Sequence, residues 1–255
     1  MERQTLRIAT WNLDHASNSK RPIQRQIEAI MRMAPDILVL TETCAQVDLS
    51  PYGYSVQYTQ PNEYKKYYAA IWSRFPIVHQ HETSDPELTV CAQIASSLGD
   101  VLVYGTIITY HGDKGPDQKS PAWAEHYKAI GVQGNDWARL RAQAALPMIV
   151  AGDFNQTRDG SSRTYGTAHG RGLLTEQLAR SGLVCLTTEN FGDTGKLKVD
   201  QRIDRARNNI DHICVTENVF EIGDVGAWDH FAEDGAYLSD HNGVYVDIAE
   251  CVFKN

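Results

Sequence analysis

The sequence lacks three features that would each have pointed to a particular class of protein. Acidic residues outnumber basic ones by 32 to 24, which gives a formal net charge of −8. Without a basic excess, no global field holds nucleic acid or anionic lipid nonspecifically. No apolar run approaches the roughly 20 residues that span a bilayer, and the first residues show no basic stretch followed by an apolar one. We therefore expect no membrane anchor and no secretory signal.

Paired cysteine motifs are also missing. The five cysteines are odd in number, scattered and without a C-x-x-C pair. Most of them adjoin apolar, strand-like residues, which is typical of buried free thiols. Because free thiols suit a reducing compartment, we expect a cytoplasmic protein. Nothing in the sequence indicates an obligate protein partner.

The composition is that of a globular protein. Hydrophobic residues make up 42% and charged residues 22% of the 255 residues. A chain of this length can bury one sizeable core. No linker, internal repeat or low-complexity tract interrupts it, so the sequence predicts a single domain over residues 1–255.

Short apolar segments rich in β-branched residues alternate with helical patterns. Strands are predicted over residues 6–9, 37–40, 101–109, 148–151, 210–215 and 243–248. Helices are predicted over residues 22–33, 123–145 and 173–181, with Gly131 and Gly134 expected to break the second into two. This order of elements predicts an α/β architecture with helices covering the sheets.

Polar residues follow several of these strands directly. They are Asn12, Glu42, His111, Asp153, Asn155 and Asp240. Strand ends at one edge of a sandwich bring together side chains that are far apart in sequence. We therefore expect these residues to form an active site.

Asp153 and Asn155 belong to a Gly-Asp-Phe-Asn segment. On an extended backbone their side chains face the same side and can address one reacting centre. The carboxylate can take a proton, and the amide can hold a water or a phosphate. For Asp153 or Glu42 alone, a turn residue or a helix cap is an equal alternative.

A Ser-Asp-His triplet, residues 239–241, precedes the last strand. His241 can donate to a developing phosphate oxyanion, and Asp240 can bind a hard cation. Taken alone, the triplet is also compatible with a solvated turn. Asp211 lies in an apolar strand, where its charge needs a partner such as His241. Alternation along that strand sends His212 to the opposite face, where we expect a structural histidine.

Six short motifs occur in an order that resembles the endonuclease/exonuclease/phosphatase family. They are TWNL (10–13), DILVLTE (36–42), SRFPI (73–77), GDFN (152–155), ID (210–211) and SDH (239–241). The resemblance extends over essentially the whole chain. It implies a four-layer α/β sandwich, in which two mixed β-sheets are flanked by helices. It also implies a phosphoesterase that uses Mg²⁺, with Mn²⁺ as a substitute.

The resemblance further implies which residues hold the metal and the nucleophile. Glu42 would be the principal Mg²⁺ ligand, with Asn12 and Asp240 near the same cation. Asp153 would position or deprotonate the attacking water, and Asn155 would orient the phosphate or the nucleophile.

His241 would stabilise the transition state of an in-line attack, held in orientation by Asp211. His111 matches a family position and could contact phosphate or assist the leaving group. These roles too are implied by the resemblance.

The residues that would bind substrate are indicated less directly. Lys65 and Lys66 stand where pancreatic-type deoxyribonucleases carry a glutamate, and they could contact phosphate or lie in a solvated basic loop. Arg74 in the SRFPI motif and Arg158 in the arginine-rich segment 156–207 are further candidates. The Pro-x-Trp-x-Asp-Arg signature of inositol phosphatases is absent.

We therefore expect a hydrolase of phosphodiesters, with nucleic acid, DNA or RNA, as the favoured substrate. A small-molecule or sphingolipid-type phosphoesterase is a second hypothesis, and a catalytically silent binding module is a third. The third would be marked by the loss of Glu42, Asp153, Asn155 or His241, and all four are present.

Overall fold

The computed structural model describes residues 4–15, 23–64, 66–160, 164–201, 203 and 205–250, and within them the strands form two six-stranded sheets. The first sheet contains β1 (Thr5–Asn12), β2 (Ile37–Cys44), β3 (Ser55–Tyr58), β4 (Lys66–Ser73), β11 (Phe220–Trp228) and β12 (Gly243–Glu250). The second contains β5 (Ile77–His81), β6 (Thr89–Ser96), β7 (Gly99–Ile107), β8 (Met148–Asp153), β9 (Leu183–Cys185) and β10 (Asp211–Thr216). The helices are α1 (Ile23–Met33), α2 (Ala124–Ala144) and α3 (Ala168–Arg180), and a short 3₁₀ turn covers Ser50–Tyr52.

Both sheets are mixed. The strand order is β11-β12-β1-β2-β4-β3 in the first sheet and β5-β6-β7-β8-β10-β9 in the second. In each sheet one central pair is parallel, β1 with β2 and β7 with β8, and the remaining pairs are antiparallel. The predicted arrangement of two mixed sheets is confirmed.

The four layers follow from where the apolar side chains are buried. Residues such as Ile8 of the first sheet and Ile149 of the second share one cluster between the sheets. On the outer face of the first sheet, α1 buries Ile30. On the outer face of the second, α2 and α3 bury Trp137 and Leu174. Each sheet therefore has one face against the other sheet and one face against helices.

The prediction that Gly131 and Gly134 divide the second helix is wrong, because α2 runs unbroken from Ala124 to Ala144. Gly134 serves close packing instead: a Cβ there would lie 2.4 Å from Gln177 Oε1 on α3. Helix α3 also begins earlier than predicted, at Ala168, because Thr167 Oγ1 accepts a bond from Gly170 N at 3.0 Å and so caps the helix. None of the described helices is both long and apolar enough to cross a membrane.

Strand direction brings the site together at one edge of the sandwich. Asn12 ends β1 and pairs with Thr41 of the parallel β2, while Asp153 ends β8. Strand β10 runs antiparallel to β8, so its first residue, Asp211, lies directly opposite Asp153. Strand β12 runs antiparallel to β1, so the residues that precede it, including His241, reach the same edge.

Candidate active site

An open cleft of about 740 Å³ lies at the edge where these strand ends meet. Side chains that the sequence assigned to one site line it together: Glu42, Asp153, Asn155, Asp240 and His241. The predicted convergence of these residues on one cavity is therefore present in the structure.

Asp153 is the buried centre of the cleft, with only 2% of its surface exposed. Its Oδ2 accepts bonds from the side-chain amides of Asn12 and Asn155, each at 3.1 Å. Its Oδ1 accepts the backbone N–H of Asn155 at 2.8 Å. Three donors thus fix the carboxylate in one orientation.

The backbone around Asp153 departs from an extended strand. Gly152 has a φ of 143°, and a Cβ at that position would lie 1.9 Å from Thr106 O, so only glycine fits. Asn155 has a φ of 48°, which is left-handed, so it reaches Asp153 through a turn and not along an extended face as the sequence suggested. Glu42 has the same unusual φ of 48°. Such strain clusters at functional sites.

His241 and Asp211 form a hydrogen-bonded pair beside Asp153. His241 Nδ1 donates to Asp211 Oδ2 at 2.5 Å, and both side chains are largely buried. Burial lowers the pKa of His241, but the negative charges of Asp211 and Asp153 outweigh it and raise that pKa well above its usual value. The imidazole is therefore a cation near neutral pH.

The pKa of Asp153 is also shifted from its ordinary value. Burial raises its pKa to about 7, and the charges of Asp211 and Glu42 add to this, against the opposing effects of His241 and the Asn155 N–H. A carboxylate with such a pKa is suited to proton transfer near neutral pH.

Hydrogen bonds from several elements fix the loop of residues 239–241, which contains His241. Ser239 Oγ donates to Asn12 O at 2.6 Å and accepts the backbone N–H of His241 at 3.0 Å. Trp11 Nε1 donates to His241 O at 2.8 Å, and Arg207 Nη1 donates to Asp240 O at 2.9 Å. These bonds give His241 a fixed position relative to Asp153.

The residues assigned to the metal fit a hard divalent cation. Glu42 and Asp240 bring carboxylates to the cleft that contains Asp153, and oxygen donors of this kind suit Mg²⁺. The buried Asp211 Oδ1 also lacks a hydrogen-bond partner among the described residues. Burial raises the pKa of Asp153 most, and the negative charges of Asp211 and Glu42 raise it further. A cation would relieve that repulsion.

Asn12 approaches this centre through its Nδ2, which donates to Glu42 Oε1 at 3.2 Å as well as to Asp153. It therefore orients the carboxylates in this geometry. Asp153, Asp211 and His241 also offer ligand atoms within 4.8 Å of one another, but Nδ1 of His241 is committed to Asp211. Sequence reasoning missed His15, whose Nε2 lies 3.1 Å from Glu42 Oε2.

The structure places none of the three described substrate-binding candidates among the residues that line the cleft. Arg74 lies beyond the end of β4 that pairs with the start of β2, away from Glu42, and stacks 5.0 Å over Tyr54. Arg158 donates to Thr175 at 3.2 Å. Neither these two nor Lys66 is among the described cleft-lining residues, and Lys65 is outside the described residues.

Two histidines take different places. His111 is exposed, and its Nδ1 lies 3.1 Å from the Tyr165 hydroxyl. Tyr165 lines the cleft, whereas His111 is not among the described residues that do. His212 is buried on the opposite face from Asp211, with Nε2 2.8 Å from Gln156 O, as the structural reading predicted.

The cleft walls contain residues that the sequence did not single out. They are Tyr110, Lys114, Tyr165, Arg205 and Arg207. The two arginines were noted only as part of an arginine-rich segment. All five lie outside the strands, so no periodic pattern could place their side chains.

A two-sheet sandwich with carboxylates and a histidine–aspartate pair at one strand edge defines the class of metal-dependent phosphoesterases. The chain matches the Endonuclease/Exonuclease/phosphatase family over residues 9–241. It belongs to that family, and it is an enzyme of the phosphoesterase class. None of the curated protein sequences matches it.

Solved structures of the same fold are distant in sequence. The 3′ phosphatase NExo from Neisseria, bound to a product DNA hairpin, has a TM-score of 0.67 at 16% identity over 94% of this chain and 98% of that chain. The human Nocturnin catalytic domain has a TM-score of 0.65 at 17% identity over 98% of both chains. Truncated Caenorhabditis elegans TDP2 has a TM-score of 0.64 at 15% identity over 96% of this chain and 98% of that chain.

Proposed function

We propose that this enzyme is a Mg²⁺-dependent phosphodiester hydrolase that acts on nucleic acid. The observation that carries the proposal is the convergence of three groups on one cleft. They are the buried carboxylate of Asp153, the cationic His241–Asp211 pair, and the carboxylates of Glu42 and Asp240. A base, a cationic donor and a metal-binding edge are the components that phosphodiester hydrolysis needs.

Asp153 is the residue that activates water. Its orientation is fixed by Asn12 and Asn155, so a water bound to it is held in one direction relative to the phosphorus atom. The carboxylate can accept the proton that the water loses as it attacks. Asn155 contributes by holding Asp153, since its amide donates to that carboxylate.

His241 stabilises the charge that develops on the phosphate. Its Nδ1 is bonded to Asp211, which leaves Nε2 as the N–H donor toward the cleft. A protonated imidazole held rigidly in place stabilises a developing oxyanion more than a mobile one does, because no reorganisation is needed. Asp211 keeps that proton on His241 through its negative charge.

Glu42 and Asp240 would hold the cation, with Asn12 orienting Glu42. Bound Mg²⁺ supplies charge neutralisation at the phosphate oxygens. Nucleic acid is the proposed substrate because lysine and arginine side chains line the cleft and because NExo, of the same fold, was solved with a DNA product. We further propose that residues 1–255 act as one domain, because strands from β1 to β12 contribute to the same edge.

The test is cleavage of end-labelled single-stranded, double-stranded and abasic DNA and of RNA, with and without Mg²⁺. We expect cleavage of at least one substrate by the wild type and its loss in chelator and in Asp153→Asn. Asp48→Asn, which changes an exposed carboxylate, is the matched control and should keep full activity. A folded wild type that cleaves none of these, while hydrolysing a small phosphate ester, would refute the nucleic-acid assignment.

A further inference from the structure

Four rings meet at the mouth of the cleft and are called the aromatic strip here: Tyr110, His111, Trp123 and Tyr165. Ring centroids are 5.5 Å apart for Tyr110 and His111, and 5.5 Å apart for His111 and Trp123. Tyr165 lies 5.7 Å from Trp123 and 6.1 Å from His111. The rings therefore form one continuous group and not a set of isolated side chains.

The aromatic strip borders the reaction site. Tyr110 and Tyr165 line the same cleft as Asp153, and Tyr110 has 52% of its surface exposed. The hydroxyl of Tyr165 is held by His111. Two aromatic rings are thus available to a substrate whose phosphate lies at Asp153.

A side groove continues the cleft past Tyr165. Its volume is about 430 Å³, and it is lined by Thr164, Tyr165, Arg205 and Asn208. Three of these residues also line the main cleft, so the two cavities share a wall. In the described part of the chain, Arg205 makes a hydrogen bond of 3.5 Å to Asn208 Oδ1 and no ion pair with a carboxylate. Its guanidinium therefore has donors left to bind a phosphate.

These observations favour unpaired bases over a duplex. Besides histidines, the basic side chains among the described cleft-lining residues are Lys114, Arg205 and Arg207, and the whole chain is acidic. Duplex binding rests on many phosphate contacts. A single strand instead exposes base faces, and each base that stacks on an aromatic ring adds binding energy that requires no cation.

We propose that the aromatic strip and Arg205 form a binding site for single-stranded nucleic acid. Bases next to the scissile phosphate stack on Tyr110 and Tyr165, and Arg205 binds a neighbouring phosphate in the side groove. The proposal rests on the phosphodiester hydrolysis proposed above and names its substrate class. His111 packs against the Tyr165 ring within the aromatic strip, with centroids 6.1 Å apart.

The experiment measures binding separately from cleavage. The affinity of Asp153→Asn for a short fluorescein-labelled single strand, as DNA and as RNA, is measured by fluorescence anisotropy with Mg²⁺ present, beside the same sequence as a duplex. Tyr110→Leu, Tyr165→Leu and Arg205→Gln are each added to this parent. Tyr165→Phe keeps the ring. Tyr52→Leu is the matched control, because Tyr52 is exposed and adjoins Tyr54, which bonds Pro35 at the far end of β2.

We expect the single strand to bind more tightly than the duplex. Each Tyr→Leu change should weaken single-strand binding by about tenfold, as the loss of one stacked base does. Tyr165→Phe and Tyr52→Leu should bind like the parent. Tighter binding of the duplex, or unchanged binding by Tyr165→Leu, would overturn the proposal, and a loss in Tyr165→Phe equal to that in Tyr165→Leu would do the same.

Hydrolysis of a small phosphodiester, bis(p-nitrophenyl) phosphate, by the wild type separates this proposal from the proposed function. Hydrolysis without strip-dependent binding of the single strand would refute the binding site and leave the phosphodiesterase standing. Strip-dependent binding without hydrolysis of any phosphodiester would leave the site standing and refute the phosphodiesterase.

Discussion

Asp211→Asn removes one negative charge from the His241 pair with almost no change in shape. The wild-type bond from Nδ1 to Oδ2 is 2.5 Å long and lies between side chains that are 13% and 2% exposed. A hydrogen bond to a charged group is worth roughly 1.5–3 kcal/mol. If the imidazolium is needed in the transition state, its loss corresponds to a fall in kcat of roughly 10- to 150-fold.

The variant should also change the pH profile. Burial lowers the pKa of His241, and the charge of Asp211 is the first of the effects that oppose it. Without that charge the pKa falls, so the variant should lose activity at a lower pH than the wild type and recover part of it as the pH is lowered. The assay is kcat against pH at saturating Mg²⁺. An unchanged alkaline limb, or an unchanged kcat, would refute the role given to Asp211.

Stability provides an independent check with a defined sign. The pKa of His241 is raised in the folded protein, so its stabilising contribution is fully present below the unfolded value of about 6.5 and is lost as the pH rises through the folded value. The loss of stability in Asp211→Asn should therefore be larger at acidic pH than at alkaline pH. Asp136→Asn changes a buried carboxylate that bonds Ser84 and is not among the described cleft-lining residues, so it should destabilise the fold without moving the pH profile of kcat.

Two further predictions concern the metal and the backbone. Glu42→Gln should raise the Mg²⁺ concentration for half-maximal activity by about tenfold or more, measured by metal titration, and an identical titration curve would contradict its role as ligand. Gly152→Ala should destabilise the fold by about 3 kcal/mol or more, because its Cβ would meet Thr106 O at 1.9 Å. Gly172→Ala in α3, where nothing lies within 4 Å of the new Cβ, should be neutral or stabilising by about 1 kcal/mol. Equal unfolding midpoints for the two glycine variants would show that the close approach at Gly152 is unimportant.

The sequence predicted the central strands because their two buried faces leave continuous apolar runs. Strand β2, for example, is buried from Ile37 to Thr41, and such runs are readable without a structure. Strand β5 at the sheet edge is mostly exposed, and its IVHQH segment has no such run. Strand β11, also at an edge, exposes most of its first half. Edge strands are specified by their neighbours more than by their own pattern.

The sequence predicted those residues of the candidate site that lie on strands. Asn12, Glu42, Asp153 and Asp211 lie on strands, and a polar residue at the end of an apolar run is visible in the sequence. Tyr165, in contrast, lies on a loop and reaches the cleft through tertiary contacts with Trp123 and His111.

Arg74 was expected to bind substrate because it lies in one of the family-like motifs. It stands next to an apolar strand within a motif, yet the antiparallel pairing of β4 with β2 places it at the end of the sheet away from Glu42. Nearness to a motif therefore did not fix on which edge of the sheet the side chain lies. Strand pairing decides this, and the pairing is a non-local property that a single sequence does not reveal.

The central claim is that Asp153 directs a water molecule at a phosphodiester. The most direct measurement is mass spectrometry of oligonucleotide products formed in oxygen-18 water with Mg²⁺. The account predicts one oxygen-18 atom in the new terminal phosphate that each wild-type cleavage creates and an unlabelled hydroxyl on the other fragment. It predicts no product from Asp153→Asn above the chelator background. Unlabelled phosphate in the wild-type product, or labelled product formed at the wild-type rate by Asp153→Asn, would contradict it.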